Sequence, residues 1–168
     1  MKTIIVGLGN PILGDDGVGW QVASRLQQVI ELPPDVSIDN LAVGGISLME
    51  ALIGYDRAII IDSIVTGTAP IGDVNHYQLD NLPKPASGHT SSAHDTTLPE
   101  ALEMGRTLGA QLPEEISIVT IESHKVYEFS DELTPEVAAA VPRAERIILD
   151  LLLESRPEQS PKPNDLKG

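Results

Sequence analysis

The sequence predicts a three-layer α/β/α domain: a mostly parallel, twisted sheet of about five strands with helices on both faces. Three observations carry that prediction. Short β-branched runs alternate along the chain with segments of helical periodicity. One run contains Ala58-Ile59-Ile60-Ile61, the continuous apolar stretch of a strand covered on both faces. The length, 168 residues, suits one domain able to bury about two thirds of its unfolded surface.

Each element has a local reason. Thr3 to Leu8 is a short apolar run closed by glycines, hence a buried strand. Val18, Trp20, Val22, Leu26, Val29 and Ile30 recur mostly at helical spacing, and Pro33-Pro34 ends that helix. Val36 to Val43 reads as a second strand, ended by Gly44-Gly45. Ser47 to Ile53 makes a short helix with Gly54 as its stop. Arg57 to Val65 is the central strand, and the alternating Asp73 to Leu79 is a strand nearer the edge. Pro83 to Ser92 is loop. Thr97-Leu98-Pro99-Glu100 is a capping box that opens a helix to about Gly109. Glu115 to Glu122 is the last strand. Thr134-Pro135 starts a final helix with Val137, Val141, Ala144, Ile148 and Leu151 on one stripe, and Pro142 predicts a kink in it. The domain is expected over 1–154. From 155 to 168 the chain has Pro157, Pro161 and Pro163 with almost no apolar residues, which predicts a mobile tail.

Composition narrows the function. With 11 basic and 25 acidic residues the formal charge is −14, a field that repels nucleic acid and anionic membrane and favours cationic partners or metals. Cys is absent, which excludes disulfides, thiolate metal sites and cysteine nucleophiles together. The sequence enters a strand-like run at once and has no apolar span of membrane length, so a cytoplasmic protein is expected. Aromatic residues are only 3%, so the core must be aliphatic.

Ligands of open α/β sheets bind beyond the carboxyl ends of the strands. After the first strand come Asn10 and Asp15-Asp16; the third run carries Asp62; the loop after the fourth carries His89 and His94. Two acids and a histidine are thus expected at one edge of the sheet. The first loop is not a dinucleotide site, because Gly7 and Gly9 are followed by Ile12 where a third glycine is needed. Nor is it a P-loop, since no Gly-Lys-Ser/Thr is present. Taken alone, Asp15 reads as an acid favoured by the positive end of the helix it precedes. Asn10 reads as pinning its own turn and His76 as surface, while His124, at a strand end, is open to a role supporting the ligands or facing substrate.

Ile5-Val6-Gly7-Leu8-Gly9-Asn10-Pro11 resembles the start of bacterial peptidyl-tRNA hydrolases, but that likeness stops after seven residues and lacks the basic groove. A fuller pattern runs from Gly7-Leu8-Gly9-Asn10 through Gly14-Asp15-Asp16-Gly17-Val18-Gly19. It continues in Ile59-Ile60-Ile61-Asp62-Ser63 and Ser91-Ser92-Ala93-His94-Asp95, and ends in Leu133-Thr134-Pro135-Glu136-Val137. These blocks, in this order, resemble the hydrogenase maturation proteases, endopeptidases that trim the large subunit of nickel–iron hydrogenases. The resemblance covers roughly residues 3 to 150.

That resemblance implies Asp16, Asp62 and His94 as metal ligands and as the catalytic set, contacting nickel already inserted in the substrate. Two carboxylates and an imidazole with open positions suit a borderline divalent ion, zinc or cadmium included. It implies the hydrogenase large subunit as partner and an aspartic-type peptidase; a monomer is the expected state. The region after the second strand is implied to face substrate, which makes Asp39, Gly44 and Gly45 the substrate-binding candidates. Here Asp39 is followed by Asn40-Leu41-Ala42-Val43 where many members have Gly-Gly-Thr. No H-E-x-x-H or G-x-S-x-G is present, so the sequence leaves three readings open: metal-assisted cleavage, cleavage by another group with metal only docking the substrate, or a nickel-binding checkpoint without protease activity.

Overall fold

The computed structural model describes residues 1–29, 31–42, 44–83, 97–124 and 126–154. The expected tail, 155–168, and both His89 and His94 lie outside the described residues. Five strands form one sheet: β1 (Thr3–Leu8), β2 (Val36–Leu41), β3 (Arg57–Ile64), β4 (Val74–Gln78) and β5 (Glu115–Glu122), in spatial order β2-β1-β3-β5-β4. The helices are α1 (Val18–Val29), α2 (Gly45–Ala51), α3 (Leu98–Thr107) and α4 (Pro135–Glu154).

Alternation along each strand sorts the core into two layers. Ile5, Ile59, Ile61, Val119 and Ile121 face α1 and α4, meeting Val22, Leu26, Val141, Ala144 and Ile148. Ile4, Val6, Ala58, Ile60 and Ile118 face the other way, onto Leu48 and Met49 of α2 and Ala101 and Leu102 of α3. The three-layer prediction therefore holds, and so does the aliphatic core. Among the described residues no helix is long and apolar enough to cross a membrane.

Some boundaries differ from the sequence reading for local reasons. β2 stops at Leu41, whose carbonyl accepts the Gly9 N–H at 3.0 Å and the Trp20 indole N–H at 3.1 Å. α2 starts two residues early because Gly45 takes φ +58°, which lets the chain turn into the helix at once. α3 carries the expected capping box, with Glu100 accepting the Thr97 N–H at 2.9 Å. α4 runs on to Glu154 through Pro142, which sits on its exposed side.

β1, β2, β3 and β5 are parallel, whereas β4 pairs antiparallel with β5. This corrects the strand-end argument for the histidines. The chain leaves β4 at Gln78, opposite Ser117 near the start of β5, and therefore at the edge away from the carboxyl ends of the parallel strands. His94 does not follow a carboxyl-end exit. On the far side of that loop, α3 ends near the same amino edge, where the Gly54 N–H donates to the Gln111 carbonyl. Thr97 accordingly opens α3 toward the carboxyl edge.

Candidate active site

β1 leads to β2 on one side and has β3 on its other, with Gly7 opposite Asn40 and Ile61. This is a switch point of the sheet, the crevice where open α/β folds bind ligands. Both predicted acids are here: Asp16 on the loop after β1, and Asp62 near the end of β3.

The first loop is held by its own backbone. The Leu13 N–H donates to the Asn10 carbonyl, and the Asp16 N–H donates to the Leu13 carbonyl. Asn10 pins the turn as expected, its Oδ1 accepting the Ile12 N–H at 3.1 Å. Gly9, at φ +127°, passes so close to Asp16 that a Cβ would lie 1.9 Å from the Asp16 carbonyl oxygen. A Cβ on Gly19 would lie 2.4 Å from the Ile61 carbonyl oxygen, so this glycine lets α1 settle onto the sheet beside the site.

The Asp16 carboxylate is aimed by two donors. Its Oδ2 accepts the Asn10 N–H at 2.7 Å, and its Oδ1 accepts the Ser63 hydroxyl at 3.3 Å. Ser63 thus ties the first loop to β3, one residue beyond Asp62. Asp62 keeps partial solvent exposure, yet the protein packed around its carboxyl group dominates. Burial pushes its pKa from the ordinary 3.8 up to about 8, the charge of Asp16 adds to the rise, and the Ser63 backbone N–H opposes it. At neutral pH Asp62 therefore holds a proton. Two carboxyl groups that cannot comfortably both ionise create a deficit of positive charge, which a cation arriving between them would relieve.

Asp15 is not a dipole acid of the helix it precedes, as the sequence suggested. It is fully buried, and its carboxylate accepts the Thr134 N–H at 2.7 Å and the Thr134 hydroxyl at 2.9 and 3.0 Å. It anchors the start of α4 instead. The two consecutive acids have opposite assignments: Asp15 faces inward to α4, Asp16 outward to the site. Next to them the Gly14 N–H donates to the Ser130 carbonyl and the Ser130 N–H to the Ile12 carbonyl, so segment 130–134 braces the whole loop.

Glu122 was given no role by the sequence reading and has a comparable one. Buried at the end of β5, its Oε1 accepts the N–H groups of Thr66 and Gly67 at 2.8 and 3.0 Å, and the Thr66 hydroxyl reaches both of its oxygens. This fixes the exit from β3 behind Asp62. Its only sequence signal was the Thr66-Gly67-Thr68 turn, which offers N–H groups to an anion.

Of the substrate-facing candidates, Asp39 is exposed on the edge strand β2, where its Oδ1 accepts the Asn40 N–H. Gly44 and Gly45 form the turn into α2 at the carboxyl end of β2, the same edge as the two acids. His76 is exposed, as expected, and so is His124. Among the described residues no group of three or more His, Cys, Asp or Glu side chains is arranged to hold a metal; the acids brought together are Asp16 and Asp62.

A single α/β domain with paired acids at its switch point defines an enzyme-type site rather than a structural one. The comparisons specify which. Residues 20–151 match the hydrogenase maturation protease family, and the chain belongs to that family. It is 27% identical over 162 residues to the hydrogenase 2 maturation protease of Escherichia coli, covering 96% of this chain and 97% of that one. It is 30% identical over 152 residues to a putative hydrogenase maturation protease of Methanocaldococcus jannaschii, covering 87% and 93%. The structure resembles the hydrogenase maturating endopeptidase HybD from E. coli with TM-score 0.76 at 25% identity, over 92% and 94% of the two chains. The protein is a peptidase of hydrogenase maturation.

Proposed function

We propose that this peptidase removes a C-terminal peptide from the large subunit of a nickel–iron hydrogenase, and does so once nickel is in place in that subunit. One observation carries the reading: the Ser63 hydroxyl ties Asp16 to the end of β3, which brings its carboxylate beside Asp62 at the carboxyl edge of the sheet, where burial and the Asp16 charge both oppose ionisation of Asp62. Such a pair is short of positive charge, and a substrate bearing a metal ion supplies it. Nickel is part of the substrate in this reading, not a resident cofactor.

Asp16 is pre-aimed by Asn10 and Ser63, so it can approach the ion without reorganising. Asp62 releases its proton as the ion approaches, and His94 is the third ligand that the family pattern supplies. A site with so few ligands binds free metal weakly, yet completes the shell of an ion already held by another protein. The ion then polarises the scissile carbonyl or activates a water. Water adds to the carbonyl carbon, the C–N bond breaks, and the departing amine takes a proton. Carboxyl groups handle these proton transfers, the sense in which the enzyme is aspartic-type.

The test is a time course with large-subunit precursor prepared nickel-loaded and nickel-free, read by intact-mass spectrometry. Loss of the C-terminal peptide from loaded precursor alone is the expected outcome. Equal cleavage of both leaves an ordinary peptidase. Nickel-dependent binding without any cleavage leaves a checkpoint protein.

A further inference from the structure

We propose that Phe129 and Ile12 form a docking ridge beside the site, which receives a segment of the large subunit carrying an apolar side chain next to Lys or Arg. The inference rests on the reading of hydrogenase precursor as substrate and adds the recognition surface to it. Phe129 is the only phenylalanine in a chain whose aromatic content is 3%, and it is 86% exposed. Ile12 is 55% exposed. One exposed apolar side chain is unremarkable, but two on hydrogen-bonded neighbouring segments make a patch.

The ridge is continuous with the site. Asp16 accepts from the Asn10 N–H, Asn10 Oδ1 accepts from the Ile12 N–H, and the Ile12 carbonyl accepts from the N–H of Ser130, next to Phe129. Ile46, 43% exposed at the start of α2, offers a second apolar contact at the same carboxyl edge of the sheet.

Charge specifies the occupant. Asp131 and Glu132 are both exposed close after Phe129 in sequence, in a chain of net charge −14. Lipid surfaces and acidic peptides are repelled by this setting, while an apolar side chain with basic neighbours satisfies both features.

The experiment measures processing rate against concentration of nickel-loaded precursor, for wild type, Phe129→Ser, Phe129→Leu, Leu108→Ser and the pair Asp131→Asn with Glu132→Gln. Leu108 is the control, 79% exposed at the end of α3 near the opposite edge of the sheet. Phe129→Ser should raise KM roughly tenfold with kcat nearly unchanged, the scale expected for losing one buried aromatic contact. Phe129→Leu should recover most of that loss, and Leu108→Ser should match wild type. The Asp131→Asn, Glu132→Gln pair should raise KM at low salt and weaken its salt dependence. Unchanged KM in Phe129→Ser, with wild type active, overturns the ridge alone. A concentration-dependent wild-type dimer that Phe129→Ser abolishes also overturns it, because a second copy would then be the occupant. No cleavage by wild type overturns the peptidase reading and, with it, the substrate assigned to the ridge.

Discussion

Asp15 and Thr134, 119 residues apart in sequence, meet inside the protein, where the Asp15 carboxylate accepts both the backbone N–H and the hydroxyl of Thr134. The next residue after Asp15 carries the outward-facing acid of the site. The loop that aims Asp16 is therefore set by a contact to α4 and by its own turn together. Stability and activity meet at this pair.

Replacing Asp15 by Ala leaves the Thr134 N–H and hydroxyl without their buried acceptor. The expected loss is about 2–3 kcal/mol, the range for breaking a buried charge-assisted network. Asp15→Asn keeps one carbonyl oxygen and should recover part of it. Chemical denaturation of the three proteins checks the order: wild type above Asn above Ala. Equal midpoints for wild type and Ala would mean the contact contributes nothing.

Gly9→Ala should be more damaging to activity than its size suggests. The new methyl meets the Asp16 carbonyl oxygen at 1.9 Å and the residue is asked to keep φ +127°, so the loop must move. The strain is on the order of 1–3 kcal/mol, and relieving it displaces Asp16. A fall in processing rate of at least tenfold in a protein that still folds is expected; near wild-type rates would show that the loop tolerates displacement.

Asp62 gives stability a pH dependence of defined sign. Its native pKa is raised, so between about pH 4 and pH 8 the native state holds a proton that the unfolded state releases. This contribution is full below the unfolded pKa and is lost as pH climbs toward 8. Asp62→Asn removes the titration: relative to wild type it should gain stability steadily from pH 4 to pH 8. Paired unfolding curves across that range check it, and a constant difference between the two proteins would count against the assignment. Addition of a divalent cation to wild type at pH 7 should release protons in unbuffered solution, and Asp62→Asn should release fewer.

Features written in local sequence were readable before folding. The apolar run Thr3 to Leu8, the isoleucines before Asp62 and the capping box at Thr97 each depend on neighbours a few residues away, and each lies where expected. The two acids were legible because they sit at strand ends, where ligands bind. The direction of β4 was not: alternation reports that Val74 is buried and His76 exposed, and this holds for either orientation of the strand. The roles of Asp15 and Glu122 depend on partners 119 and 56 positions away, which no local pattern encodes. The exposure of Phe129 is legible only afterwards, since an isolated aromatic reads as core until the core is seen to be filled by aliphatic residues.

The central claim is that Asp16 and Asp62 together perform the metal-dependent processing. It is tested most directly by single-turnover cleavage of nickel-loaded precursor by wild type, Asp16→Asn and Asp62→Asn, with melting temperatures measured alongside. Loss of cleavage by at least a hundredfold in both variants is predicted, on the order of 3 kcal/mol or more of transition-state stabilisation. Melting temperatures should be unchanged or raised, because Asp62→Asn removes a buried acid that resists ionisation and Asp16→Asn removes the neighbouring charge that adds to that resistance. Cleavage by either variant at the wild-type rate would contradict the claim.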